Sequence, residues 1–201
     1  MNFPKLWAAC LIFISTHAFA HNQTKTKIEL LCDEARKWHG TLEEGNNSGA
    51  VVEKFQKAVD GQALGEPWCM CFVQFCIKEA ESEYARVYPQ ETLKVSDICR
   101  SEHCLHTWNN SRGLQQTTPR AGDVCVWQKF HGDVGTPNGH AGIVVEVSED
   151  GKRIITVEGN TMPEQDDRIE SNGSGVYIKH RKVNRLSNKA FKCKGFLRVW
   201  S

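Results

Sequence analysis

The chain of 201 residues lacks an apolar run long enough to cross a bilayer, and it lacks an excess of charge of either sign. The first absence argues against a transmembrane helix, which needs about 20 consecutive apolar residues. The second argues against a nucleic-acid surface, which needs a basic stripe or patch. One apolar stretch, from Leu6 to Ile14, follows Lys5 and precedes Ala18-Phe19-Ala20. That order of charge, short apolar run and small residues is a secretory signal peptide over residues 1–20, cleaved before His21. Cys10 suggests a lipid acceptor, but the apolar stretch continues past it, and Trp7 suits its place three residues earlier poorly. The mature protein is expected to be exported, periplasmic or secreted, and off the membrane. Residues 21–201 suit one domain with a substantial core and are too few for two ordinary ones. Of the 25 basic residues only Lys5 lies in the leader, so the rest balance the 24 acidic residues and the mature charge is formally zero.

Cysteine, by contrast, is plentiful. Eight remain beyond the leader, at positions 32, 69, 71, 76, 99, 104, 125 and 193, and an exported chain can form disulfides. Cys99 and Cys104 bracket a short polar loop and are the best pair for a bridge. If Cys69 stays free the remainder is odd, so the full framework is not deducible. Cys125 falls in a strand pattern and reads as core filling. The cluster Cys99, His103, Cys104 and His106 also offers zinc ligands, but its spacing matches no common zinc motif and oxidation competes for the thiols. His103 and His106 read equally well as spectators in a solvated loop, and no metal or cofactor is expected.

The period of the apolar residues changes along the chain. Helical spacing dominates to about residue 110 and strand-like alternation after Gly122, which predicts an α+β fold with N-terminal helices packed on a C-terminal antiparallel sheet. Leu30, Leu31, Ala35 and Trp38 mark one short helix; Val51, Val52, Phe55 and Val59 mark another, punctuated by Gly49 and Gly61. A third starts at Pro67, with Trp68, Cys69, Phe72, Val73, Cys76, Ile77 and Ala80 along its buried stripe and Met70, Gln74, Lys78 and Glu81 elsewhere. Strands are expected at Asp123 to Gln128, His140 to Val147, Arg153 to Glu158, Gly175 to His180 and Gly195 to Trp200, joined by connections too short for parallel crossovers.

Three stretches carry chemistry: the head of the third helix at Cys69, Gly139-His140-Ala141-Gly142, and Glu158-Gly159-Asn160. Each alone has a plain reading as core or turn. A thiol at a helix N-terminus, however, feels the unpaired amide groups, which favour thiolate over thiol. Cys71 and Cys76 lie further inside the helix and read as structural. A three-residue loop Glu149-Asp150-Gly151 would pair Ser148 with Lys152, set His140 opposite Asn160 and put Glu158 on the same face; a two-residue loop would turn Glu158 away. Histidine beside a carboxylate and a carboxamide donates one ring proton and keeps the other nitrogen as a base. The helix must then pack on that sheet face for Cys69 to reach the ring. The candidate catalytic residues are Cys69, His140 and Glu158, with Asn160 as an alternative or additional orienter.

Gly65-Glu66-Pro67-Trp68-Cys69-Met70-Cys71-Phe72-Val73, Pro119-Arg120-Ala121-Gly122-Asp123-Val124, Gly139-His140-Ala141-Gly142-Ile143-Val144 and Glu158-Gly159-Asn160 resemble the motifs of the CHAP family of cysteine, histidine-dependent amidohydrolases and peptidases, bacterial cell-wall hydrolases of the papain-like group. The resemblance implies a papain-like fold and a peptidoglycan substrate, cut either between muramic acid and the stem L-alanine or within the peptide. It implies that Cys69 attacks the amide carbonyl, His140 moves the proton and Glu158 orients His140. Met70-Cys71 replaces the small residues that often follow the nucleophile, and the many cysteines raise a disulfide-trapped Cys69. Two other readings stay open: acyl transfer to an amine other than water, and a catalytically idle domain that binds cell wall. An immunity or activator partner leaves no mark in the sequence.

Overall fold

The computed structural model describes residues 25–92, 94–163, 169 and 172–200; the leader read in residues 1–20 lies outside them. Four helices precede the main strands. α1 (Lys27–Lys37) opens at Thr26, whose hydroxyl accepts the Glu29 N–H while the Glu29 carboxylate accepts the Thr26 N–H, a reciprocal cap. α2 (Ala50–Asp60) ends at Gly61. α3 (Cys69–Val87) is the longest and α4 (Cys104–Asn110) the shortest. The Phe55 ring of α2 touches Trp38, Trp68, Phe72 and Phe75 at centroid distances of 5.0 to 5.7 Å, joining α1 and α2 to α3 through one aromatic cluster. Among the described residues, no helix is long and apolar enough to cross a membrane.

The buried stripe of α3 is wider than its sequence suggests. Cys69 through Ile77 are buried without a break, and of the four residues expected to point away only Lys78 is exposed. Gln74 and Glu81 are covered because the chain after α3 straps back over them. Arg100 donates to Gln74 Oε1 at 3.1 Å and to Glu81 Oε2 at 3.0 Å, and Gln74 donates to the Cys99 carbonyl at 2.9 Å. The strap delivers α4, in a stretch expected to be solvated loop, to the head of α3.

The sheet holds β1 (Gln115–Gln116), β2 (Asp123–His131), β3 (Val134–Val147), β4 (Arg153–Thr161), β5 (Gly175–Lys182) and β6 (Phe191–Arg198), ordered β1-β6-β2-β3-β4-β5 with every pair antiparallel. This is the α+β arrangement that the change of period predicts. β2 and β3 run further than expected, joined at Gly132, so His140 lies inside a strand and not at its end. Pro137-Asn138-Gly139, ahead of the expected strand start at His140, lies within β3. The ladder is irregular between Gln128 and Phe130, opposite this segment, so the missing proline N–H breaks no regular pair.

The β3–β4 hairpin reaches the expected register by a different route. Val147 pairs with Ile154 and Ser148 N–H bonds to the Arg153 carbonyl, leaving four loop residues where three were expected. An irregularity between Val144 and Glu146 takes the extra residue back, so Val144 faces Thr156 and Ile143 faces Val157. Glu158 therefore falls on the His140 side. Alternation divides the sheet's faces. Ala141, Ile143 and Val157 join the core under α1–α3, whereas Trp127, Val144 and Ile154 form a smaller core on the far side with Leu186, Phe191 and Phe196.

Candidate active site

His140 and Glu158 are both wholly buried, and the imidazole Nε2 lies 2.8 Å from Glu158 Oε2. Glu158 has three further donated bonds. Thr156 Oγ1 donates to Oε1 at 2.5 Å, Arg181 Nε to Oε1 at 2.7 Å and Arg181 Nη2 to Oε2 at 2.7 Å. Burial alone would push this carboxyl up, but the Arg181 guanidinium and the His140 ring outweigh it and hold it well below the usual carboxylate range. Arg181 also lies over the Trp127 ring, 5.1 Å from its centroid, and Trp127 stands 5.7 Å from the His140 ring. Trp127 on β2, Thr156 and Glu158 on β4 and Arg181 on β5 thus fix one imidazole on β3, with the pairs Trp127–His140 and Ile154–Arg181 directly opposed in the ladders.

With Nε2 on Glu158, Nδ1 is the ring nitrogen available to sulfur; it is buried and without a regular hydrogen-bond partner among the described residues. Alternation places His140 and Glu158 on the face with Trp127, away from the core under α3, so the helix does not lie on their face as expected. The thiol at the head of α3 nonetheless reaches the imidazole and the Ala141 N–H. Cys69 is the first residue of α3, and its Sγ sits 3.5 Å from Cys104 Sγ. The Cys104 thiol, then the His140 ring and the Ala141 N–H, hold the Cys69 thiol well below its ordinary range against the opposing effect of burial. For His140, burial works toward the neutral ring, but the Cys69 sulfur and the Glu158 carboxylate lift its pKa to about 9. Between those two titrations the resting form is a thiolate beside an imidazolium.

Asn160 takes another place. It has a left-handed backbone, φ 53°, so its side chain leaves the strand alternation. Its Nδ2 donates to Asn47 Oδ1 at 3.3 Å, and its Oδ1 accepts the Gly173 N–H at 3.1 Å. It fixes loops beside the site, and the imidazole donates its hydrogen bond to Glu158. Two glycines of the motifs meet close neighbours. A Cβ on Gly142 would stand 2.4 Å from Glu158 Cγ, and one on Gly159 would stand 2.8 Å from Phe72 Cβ and Trp68 Cζ3. The first leaves room for the carboxylate and the second lets α3 lie directly on β4.

The Cys99–Cys104 bridge does not form. All eight described cysteines are free; Cys104 opens α4 facing Cys69, while the Cys99 N–H is tied to Ser111 Oγ at 2.8 Å. Cys125 is buried core as expected, although its sulfur is also 3.8 Å from that of Cys193. Nor does the zinc cluster of Cys99, His103, Cys104 and His106 assemble, since His103 and His106 are exposed. A different set, Glu66, Cys71 and Glu102, brings possible ligand atoms within 4.8 Å of one another. Burial and the neighbouring Glu66 push the Glu102 carboxyl up.

Cys69 and Cys104 line a cleft of about 270 Å³ with Glu66, Glu102, Asn138 and Gly139 among its walls. A larger hollow of about 630 Å³ lies by the β3–β4 hairpin, among Glu146, Asp150, Arg153 and Lys182, and holds no thiol. Trp68 packs beneath the site, wholly buried, and donates to Glu43 at 3.2 Å. Sequence reasoning missed Arg181 and Thr156, and it paired Cys104 with Cys99 where the structure sets it against Cys69. Thr156 alone left a signal, two residues before Glu158 on the same strand face.

Residues 61–160 match the CHAP domain, while no curated protein and no solved structure gives a match. The matched segment begins just ahead of the thiol and ends just past the carboxylate, so Cys69, Cys104, His140, Thr156 and Glu158 fall within it while Arg181 lies beyond it, and over residues 61–160 the chain carries a CHAP domain, which suggests a family of cell-wall amidases and peptidases.

Proposed function

We propose that the protein is an exported thiol hydrolase that cleaves an amide bond of peptidoglycan, either the muramoyl–L-alanine bond or a bond within the stem peptide. The observation that carries the reading is the buried row Cys69, His140, Glu158, with a thiol depressed and an imidazole raised by one another. The leader pattern of residues 1–20 supports export. The family supports the polymer.

In this reading the Cys69 thiolate adds to the amide carbonyl carbon, and the oxygen takes the negative charge. The Cys69 N–H, at the start of α3 where helix amides have no intrahelical partner, is a natural donor to that oxygen. His140 gives its Nδ1 proton to the departing nitrogen, so the C–N bond breaks to release an amine and leave a thioester on Cys69. Neutral His140 then takes a proton from water as the hydroxyl adds to the thioester. Collapse frees the carboxylic acid and returns the thiolate beside the imidazolium. Glu158, ionised and held by Arg181 and Thr156, keeps Nε2–H donated throughout and stabilises the charged ring.

The test is digestion of purified peptidoglycan followed by mass spectrometry of the new termini. A new free amine on alanine marks amidase action; a new terminus elsewhere in the stem or bridge marks endopeptidase action. Cys69→Ala is expected to release nothing while keeping the unfolding midpoint of the parent. Turnover by that variant refutes the assignment.

A further inference from the structure

Cys104 stands apart from the other cysteines. Its sulfur is 3.5 Å from that of Cys69, and the two come from the first turns of different helices. Both are nearly buried, 3% and 5% exposed, yet both line the cleft, where a molecule as small as a peroxide has access. Gly139 fixes the approach, because a Cβ there would be 3.1 Å from Cys104 Cβ, and the strap from Arg100 to Gln74 and Glu81 anchors the chain just ahead of α4. Cys71 and Cys76 lie deeper in α3, wholly buried, and are not among the cleft's lining residues.

From this placement we infer that Cys69 and Cys104 form a redox-modification site, in which a hydroperoxide converts the nucleophile to a Cys69–Cys104 disulfide and a dithiol restores it. The inference takes Cys69 as the reactive thiol of the proposed function but does not need the polymer to be the substrate. The Cys69 thiolate attacks one oxygen of the hydroperoxide. The O–O bond breaks with two electrons from sulfur, and the second oxygen leaves with a proton from His140, as water from hydrogen peroxide or as an alcohol. The sulfenic acid so formed is neutral, which removes the negative sulfur that chiefly holds the Cys104 proton in place. The Cys104 sulfur then attacks Cys69 sulfur, and its proton departs with the hydroxyl as water. Closing 3.5 Å to a bond of about 2.05 Å asks for a movement of roughly 1.5 Å, within a side-chain rotation and a small shift of the short helix α4. A dithiol reverses the step by exchange, itself becoming a disulfide. The result is a nucleophile that is switched off reversibly and is kept from the irreversible sulfinic acid.

The experiment treats the full-length purified protein with stoichiometric hydrogen peroxide, blocks remaining thiols, and maps cross-linked peptides without reduction. The expected product is a Cys69–Cys104 peptide pair, placed by fragmentation, that disappears on addition of dithiothreitol. Hydrolytic activity is expected to fall and return with it. In Cys104→Ala the same dose is expected to carry Cys69 to the sulfinic acid, with no recovery by dithiothreitol. If that variant does not fold, the parent protein decides alone: absence of the linked pair, or linkage of Cys69 to Cys71 or Cys76 instead, overturns the inference. A protein that forms the pair but releases nothing from peptidoglycan keeps this inference and sinks the proposed function.

Discussion

Arg181 on β5 holds both oxygens of Glu158 on β4 at 2.7 Å, and both side chains are buried. The fork of the guanidinium matches the carboxylate, which is why this pair suits arginine and not lysine. Its consequence reaches the thiol through two steps. An ionised Glu158 keeps His140 charged, and a charged His140 keeps Cys69 ionised. Arg181→Met is expected to destabilise the fold by about 3 kcal/mol, because it leaves a buried carboxylate with one charged partner fewer. Urea unfolding at neutral pH measures this. Arg181→Lys is expected to recover part of the stability but less of the activity, since one ammonium cannot satisfy both oxygens. Equal stability of the Met variant and the parent would show that Arg181 does not support the carboxylate.

The pH dependence has a definite sign. Cys69 titrates below its ordinary range and His140 at about 9, so the thiolate–imidazolium form fills the interval between them. The hydrolytic kcat/KM is expected to rise with the first titration and fall above about pH 9, where the ring no longer has a proton for the leaving amine. Glu158→Gln removes the negative charge that supports the imidazolium. Its alkaline limb is expected to move to lower pH, and the pH at which the Cys69 thiol begins to alkylate rapidly is expected to move up. Measuring alkylation separates the two effects, because it follows the thiolate alone. Limbs that stay where they are in Glu158→Gln contradict the ion pair.

Gly142 tests whether the carboxylate needs its space. The Cβ of Gly142→Ala would arrive 2.4 Å from Glu158 Cγ, in a site where the carboxylate is fixed by four hydrogen bonds. Either Glu158 shifts from Nε2 or the two strands part. Overpacking of this kind costs about 1–3 kcal/mol. The variant is expected to lose roughly tenfold in kcat where about 1.4 kcal/mol of that strain falls on the barrier, and to show the same inward shift of the pH limbs as Glu158→Gln. An unchanged pH profile would mean that the strain is taken elsewhere.

What the sequence makes legible here is local. Cys69 was readable at a helix head, because proline and the apolar spacing mark where α3 starts to within two residues. The His140–Glu158 relation was readable from alternation, although the count reached it through two departures that cancel: a loop one residue longer and a compensating irregularity near Val145. The helix covering the other face was not readable, since alternation says which residues share a face and nothing about what packs there. Arg181, and the placing of Cys104 against Cys69, were invisible for the same reason. Their partners Glu158 and Cys69 are 23 and 35 residues away, joined by tertiary packing that no periodicity encodes.

Asn47 and Asn160 bear on the remaining orienter. They are the two described residues other than glycine with left-handed backbones, φ 51° and 53°, and they are hydrogen-bonded to each other at 3.3 Å. Asparagine tolerates that conformation better than other side-chain-bearing residues, and alanine there costs about 1–2 kcal/mol through its Cβ. Asn160→Ala is therefore expected to lose stability from the backbone as well as from the bonds to Asn47 and Gly173. Asn160→Gly removes the same bonds but accepts the backbone, so its urea midpoint is expected to fall less. Neither change touches the Nε2–Glu158 bond, so the alkaline limb of both variants is expected to stay near pH 9. If Asn160 instead orients the imidazole, both variants will draw that limb to lower pH together, whatever their stability. The pair of variants thus separates a residue that shapes the loop from one that tunes the ring.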